Sequence, residues 1–301
     1  MTISRIYKIY FSPTGTTEKV VSALATSLAS SLATALRSAL PAKHSALEVC
    51  SYDFTLPSAR ESFPQLTAED LVLFGMPTYA GRLPNLMLPY LKEYLQGCGA
   101  LAVPVVTFGN RNFDNSLIEI RDLLETHGFH TIAAAACSCE HSFSYELGAG
   151  RPDEDDITEI RNFACRIVSK LVEGFDNGSG GSNGGAPIAT PVAVPGVPAG
   201  QDHGGYYQPR DRHGVFIDIR KVKPLTAMEK CTQCGFCAEV CPMGAIDHED
   251  VGSVPGICIK CGACTKKCPT QAKYYEDPGY LYHKTELEEM YARRAANAFF
   301  L

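Results

Sequence analysis

The chain has 301 residues, a formal net charge of -6 and 45% apolar residues. That length suits two domains of ordinary size, and the acidic balance argues against a nucleic-acid partner held by a basic face. It carries neither a stretch of about eighteen apolar residues nor a cationic leader with a small-residue cleavage site, so the expectation is a cytoplasmic protein without a membrane partner.

From residue 3 to about 173, short aliphatic runs alternate with longer helical repeats. ISRIYKIYF, ALEVC, LVLFG, LAVPVVTFG and HTIAAAAC are too short for typical helices and are predicted as strands. Val20, Leu24, Leu28, Leu32 and Leu36 recur every fourth residue, while Ile157, Ile160, Ala164, Ile167 and Leu171 recur at threes and fours, each the buried face of a helix. Shorter helices fit Leu83 to Leu95 and Asn115 to His127. Strand and helix alternating five times predict a doubly wound α/β fold with a five-stranded parallel sheet.

Such sheets bind ligands beyond the carboxyl ends of their strands. Three predicted loops leave those ends: SPTGTT (Ser12 to Thr17), GMPTYAGRLPN (Gly75 to Asn85) and TFGNRNFDN (Thr107 to Asn115). The first has the composition of a phosphate cradle at a helix N-terminus. It is not a nucleoside-triphosphate P-loop, because Gly15 is followed by Thr16, Thr17 and Glu18 instead of Lys and a hydroxyl residue. The other two add an aromatic each, so one small ligand with a phosphate tail and a flat ring satisfies all three, and flavin mononucleotide (FMN) has that shape. Singly, a Ser/Thr/Gly loop is often an N-cap and Tyr79 or Phe108 only packing; the joint placement after strands one, three and four favours FMN.

YFSPTGTT after the first strand, with PTYAGR and FGNRNFD in the later loops, resembles the flavodoxin family across roughly residues 1–173. The resemblance implies that Ser12, Thr14, Gly15, Thr16 and Thr17 bind the FMN phosphate. It also implies that Pro77, Thr78, Tyr79, Ala80 and Gly81, with Phe108, Gly109 and Asn110, border the ring. The first loop is one residue shorter than the long-known flavodoxin pattern, with Pro13 where a hydroxylated residue is common.

Residues 174–205 form a Gly/Pro/Ser-rich linker with a mean reach of about 30 Å if treated as a coil, either a plain insertion or a hinge. Beyond it, residues 206–301 hold eight of the 13 Cys, in CTQCGFCAEVCP and CIKCGACTKKCP. Both read C-x2-C-x2-C-x3-C-P, and each Cys has its counterpart 27 residues on: 231 with 258, 234 with 261, 237 with 264 and 241 with 268. Three close thiolates hold three corners of a cubane and the remote Cys before Pro reaches across to the other cluster. Cys231, Cys234, Cys237 and Cys268 are therefore expected to ligate one [4Fe-4S] cluster, and Cys258, Cys261, Cys264 and Cys241 the other. Paired C-x2-C units also make zinc sites, but zinc leaves the third and fourth Cys of each run without a role. The segment from about 228 to 273 resembles the bacterial two-cluster ferredoxins, a small α+β unit.

Cys137 and Cys139 in CSC are either a redox pair or, more simply, buried thiols. His141, in EHSFS beyond the fifth strand, is either a proton donor near the ligand edge or a structural loop residue; Arg111 and His141 are the candidate catalytic residues. RPDEDD at 151–156 places acid at the start of the last helix of the first domain, and ELEEMYARRAANAFFL is predicted as a C-terminal helix packed back on a domain.

The whole chain resembles flavodoxin–ferredoxin fusions of anaerobic microbes, with GNRNFDN, EHSFS and GRPDEDD carrying the closer likeness. That implies an electron-transfer flavoprotein serving a redox protein or a small-molecule acceptor. The readings left open are an iron–sulfur flavoprotein oxidoreductase and a non-catalytic one-electron carrier. Direct use of NAD(P)H has no support, because no G-x-G-x-x-G follows a strand.

Overall fold

The protein is described by a computed structural model over residues 3–39, 47–176, 190–196 and 204–301. Strand β1 (Arg5–Tyr10) leads through a Gly-containing loop into helix α1 (Thr16–Ala39), whose Val20, Leu24, Leu28 and Leu32 are buried. Then follow β2 (Glu48–Asp53), β3 (Asp70–Pro77), helix α2 (Leu88–Tyr94), β4 (Leu101–Phe108), helix α3 (Ser116–Thr126), β5 (His130–Thr131), β6 (Ala134–Ser138) and helix α4 (Glu154–Asp176). The parallel strands lie in the order β2-β1-β3-β4-β6, the flavodoxin-like order whose switch point lies between β1 and β3. β4 is buried along its whole length and β3 along nearly all of it, as central strands covered on both faces must be. One core layer packs α1 and α4 on one face and the other packs α2 and α3 on the opposite face.

Three features depart from the sequence-based expectation. The crossover from β2 to β3 contains no α-helix, only a 3-10 turn at Pro57–Arg60, because residues 54–69 carry Pro57 and Pro64 and no helical apolar repeat. HTIAAAAC is not one strand. Ala102 lies opposite Thr131 but Val105 lies opposite Ala135, so one extra residue is absorbed at 132–133 as a bulge separating β5 from β6.

The third departure is at the C-terminal end. Helix α7 (Pro278–Met290) begins at Pro278, capped by Asp277 Oδ1, which accepts from the Tyr280 N–H at 2.9 Å. It stops at Met290, and Ala298–Phe300 then forms strand β9, antiparallel to β6 at the edge of the first domain's sheet. Aromatic residues fit a pleated edge better than a solvated helix end, and Phe299 packs on Phe163 at 4.8 Å.

Between these elements lies a small unit with β7 (Leu225–Thr226) paired to β8 (Lys273–Tyr274) and two short helices, α5 (Phe236–Glu239) and α6 (Ala263–Lys266). Each helix is entered through a left-handed glycine, Gly235 at φ 75° and Gly262 at φ 76°, and the residue two before it, Gln233 or Lys260, is also left-handed. Ala238, Ile246, Val251 and Cys264 form its core. The first domain's helix extends to Asp176, past the expected boundary at 173. Linker residues 190–196 are docked: Val192 is buried, its N–H donating to Thr131 O (3.0 Å) and its carbonyl accepting from Arg121 Nη1 (2.9 Å). The rest of the expected linker, residues 177–189 and 197–203, lies outside the described residues.

Candidate functional site

The first loop is built from inside out. The Ser12 N–H donates to Thr55 Oγ1 at 2.7 Å, and Ser12 Oγ accepts from the Glu18 N–H at 2.9 Å, capping α1. Thr17 is buried with its hydroxyl 2.7 Å from that of Thr107. Ser12 and Thr17 thus shape the loop from within. Thr14, Gly15 and Thr16 remain half-buried at its mouth, where the first N–H groups of α1 have no intrahelical acceptor. Gly15 adopts φ 90°, and a Cβ there would meet nothing within 4 Å, so the cradle is open. Lys19, the lysine next along the chain, donates to the Pro152 carbonyl at 2.6 Å. This donor set suits one phosphate. Thr55 escaped the sequence analysis; its signal is its place just after β2 at the same carboxyl edge.

In the second loop, Tyr79 and Arg82 exchange backbone hydrogen bonds (2.8 and 3.1 Å) around Ala80 at φ 50° and Gly81 at φ 78°, a tight turn with both central residues left-handed. Thr78 is held by its N–H to Thr107 O (2.7 Å) and its hydroxyl to that of Ser116 (2.7 Å), just beyond half-buried Pro77 at the end of β3. The Asn115 N–H donates to Gly81 O at 3.1 Å, which joins this loop to the third. Tyr79 is half-buried within electrostatic range of Cys261 and Cys258, and desolvation pushes its phenol well above the usual range.

The third loop holds the expected residues in unequal roles. Phe108 is buried against Phe113 (5.7 Å). A Cβ on Gly109 would lie 2.7 Å from His141 Cγ; glycine is needed for this close approach. Asn110 does not offer its side chain to a ring. Its amide donates to the carbonyls of Tyr291 (2.8 Å) and Arg293 (2.6 Å), while Oδ1 accepts from Ser138 Oγ, Arg151 Nη1 and the Ala295 N–H.

His141 Nδ1 accepts from the Phe143 N–H at 3.0 Å, which puts the proton of the neutral ring on Nε2. Desolvation, reinforced by the positive fields of His283, Lys266 and Arg111, pushes its pKa down to about 3. Arg111 is paired with Asp114 and lies over the Tyr207 ring at 4.6 Å. Cys137 and Cys139 are buried at the end of β6, and burial pushes both thiols up, matching the simpler reading of CSC. RPDEDD does more than neutralise a helix end: Asp153 and Asp156 pair with Arg294, and Asp156 accepts from Asn297 Nδ2 at 2.9 Å.

The eight clustered cysteines surround two cavities. Cys231, Cys234, Cys237 and Cys268 line one, with Thr226, Val251 and Lys273. Cys241, Cys258, Cys261 and Cys264 line the other, with Ile246 and Tyr275. Among the described residues no three His, Cys, Asp or Glu side chains converge on a single-ion site. The thiols ring a volume, as a cubane demands, in contrast to the point that tetrahedral zinc at about 2.3 Å requires. Backbone N–H groups also point at sulfur, from Gln233 to Cys231 (3.4 Å) and, 27 residues on, from Lys260 to Cys258 (3.3 Å).

The second cavity adjoins the loops of the parallel sheet. Gly262, between Cys261 and Cys264, abuts the Ser142 carbonyl so closely that a Cβ would clash. Lys266 pairs with Glu140 and donates to Ser144 O at 2.6 Å; Tyr145 OH donates to Thr265 O at 3.2 Å; Arg60 Nη2 donates to Pro242 O at 2.7 Å. At the first cavity Cys234 is exposed.

Fold and thiol arrangement together define the class: a flavodoxin-like domain joined to a two-cluster ferredoxin-like unit. Residues 230–272 match the 4Fe-4S dicluster domain family. No curated protein matches the chain. Similar solved structures include an archaeal flavodoxin (13% identity, TM-score 0.34, covering 56% of this chain and 99% of the flavodoxin). Others are the rubredoxin oxygen:oxidoreductase of Desulfovibrio gigas (16%, 0.37, 57% and 37%) and a mutant Fusobacterium nucleatum flavodoxin bound to flavin mononucleotide (13%, 0.34, 56% and 98%). The dicluster match supports an electron-transfer role. No helix among the described residues is long and apolar enough to cross a membrane.

Proposed function

We propose that this chain is an electron-transfer oxidoreductase in which two [4Fe-4S] clusters relay electrons to or from FMN, and FMN exchanges them with a redox protein or a small-molecule acceptor. The observation that carries the reading is the pair of cysteine-ringed cavities, the inner one against the loops at the carboxyl edge of the sheet. Cys231, Cys234, Cys237 and Cys268 would hold the outer cluster, and Cys258, Cys261, Cys264 and Cys241 the inner one. Thr14, Gly15, Thr16 and the N-terminus of α1 would hold the phosphate, with Ser12 and Thr17 shaping the cradle. Pro77, Thr78, Tyr79, Ala80, Gly81 and Gly109 would border the ring, with Phe108 and Asn110 supporting them from behind. A cubane supplies one-electron transfer and FMN one- or two-electron transfer, so the pair links the two kinds of chemistry.

The second reading, a non-catalytic one-electron carrier between protein partners, is favoured by the state of His141 and Arg111. His141 is held neutral by desolvation and Arg111 is paired to Asp114, so neither presents a free acid to a substrate. An anaerobic stepwise reductive titration of the intact protein, with flavin absorbance and cluster electron paramagnetic resonance on the same sample, separates the two. Overlapping one-electron steps at flavin and clusters support the carrier. A single two-electron step at the flavin, above the clusters, supports a reductase. Absence of both signals after reconstitution removes both readings.

A further inference from the structure

The 27-residue duplication that builds the two cavities is broken at one buried position. Ile246 stands five residues after Cys241, and Lys273 stands five residues after Cys268. Ile246 is 3% exposed and lines the inner cavity; Lys273 is 4% exposed and lines the outer one. An aliphatic and a cationic side chain thus occupy equivalent places in two otherwise matched sites.

The lysine is held firmly. Its backbone is fixed by pairing with Thr226 across β7 and β8, and its Nζ donates to the Val251 carbonyl, which also accepts from Thr226 Oγ1 at 3.2 Å. No carboxylate among the described residues pairs with it. A buried ammonium without a counterion is costly, and the negative charge that offsets it here comes from the ligands. It lies within electrostatic range of Cys237 and Cys264, one thiol from each quartet, but borders only the outer cavity. A fixed positive charge in a water-poor interior stabilises the state carrying the extra electron.

We propose that Lys273 sets the cluster of Cys231, Cys234, Cys237 and Cys268 at the higher reduction potential of the pair, so that this outer cluster is the first to accept an electron and the last to release one. The inference rests on the ligation reading above. It places the resting electron at the cluster with the exposed ligand Cys234.

The test is a reductive titration of the full-length reconstituted protein, followed by the hyperfine-shifted cysteine β-proton resonances, which report the two clusters separately. Lys273→Ile, which copies Ile246, and Lys273→Gln should each lower the reduction equilibrium of the outer cluster by about tenfold or more. For a one-electron couple that is about 59 mV. The inner cluster should move less, and Lys273→Arg should stay close to the parent protein. An unchanged outer cluster, or equal shifts at both, overturns the assignment. Failure of both uncharged variants to assemble clusters that Lys273→Arg does assemble also overturns it, because the ammonium would then build the site and not set its potential. Absence of two cubane signals in the parent protein would remove the ligation reading itself and the proposal with it.

Discussion

Arg151 and Asp156 form a bidentate ion pair, with Nη2–Oδ1 at 2.6 Å and Nε–Oδ2 at 3.0 Å, in which both side chains are almost entirely withdrawn from water. The remaining Nη1 of Arg151 reaches the Ala295 carbonyl at 2.7 Å, so the pair is also the socket for the segment leading into β9. Arg151→Ala takes the bidentate partner from a buried carboxylate and leaves it only Arg294 at 3.1 Å as a counterion, so it should cost about 3 kcal/mol of stability in urea unfolding, the low end for a broken buried pair. Arg151→Lys should recover little of it, because an ammonium cannot reproduce the fork. Hydrogen exchange should accelerate at residues 298–300 in both variants.

His283 is buried beneath Tyr207 (ring centroids 6.0 Å), and its Nδ1 has no hydrogen-bond partner. Burial first, and the charge of Arg111 second, push its pKa down to about 4 from 6.5. The sign follows from proton counting: below pH 6.5 the unfolded chain binds a proton that the folded chain refuses, so stability falls as pH drops toward 4. Between pH 6.5 and 5 the loss should be about 2 kcal/mol from this ring. His283→Phe should flatten that part of the profile, measured by urea unfolding at both pH values.

Gly109 faces the His141 ring with no room for a methyl group. Gly109→Ala should therefore push the third loop off its position and destabilise the protein by about 1 to 3 kcal/mol, as overpacking does. On the FMN reading it should also weaken flavin retention, read by fluorescence of flavin released on dilution. Gly15→Ala tests a different physics: space is open there, but φ 90° strains any side-chain residue, so the cost should be smaller and local.

Cys241 belongs by sequence to the first motif but lines the cavity of the second. Cys241→Ser should therefore remove or convert the inner cluster and leave the outer one intact, and Cys268→Ser should do the reverse. Iron and sulfide analysis with electron paramagnetic resonance on each variant checks the crossing. Loss of the outer cluster in Cys241→Ser would show that each motif serves itself.

What the sequence revealed was whatever repeats. The four-residue spacing of Val20 to Leu32 and the 27-residue echo of the cysteines each express a period along the chain, the first seen as the buried face of α1 and the second as two cysteine-lined cavities. What stayed hidden depends on distant partners. Ala298–Phe300 becomes a strand because β6 offers an unpaired edge, and nothing within three residues announces that. Asn110 reads as a flavin neighbour by loop position, yet its amide is claimed by Tyr291, Arg293 and Ala295. GNRNFDN and GRPDEDD both grip residues 291–297, a shared partner invisible along the chain. The bulge at 132–133 escaped because an unbroken run of alanines carries no mark of register.

The pairing of β6 with β9 also sets an order of manufacture. Asn297, which accepts the Ser138 N–H through Oδ1 at 2.9 Å, is translated 159 residues after it, once the entire cysteine-rich segment has left the peptidyl-transferase centre. Until then the flavodoxin-like sheet waits with a raw β6 margin, and a nascent chain halted in the linker would keep that margin exposed to neighbours on the same polysome. Closure therefore comes late, at high contact order, and only around a chain whose iron-binding thiols have already been made.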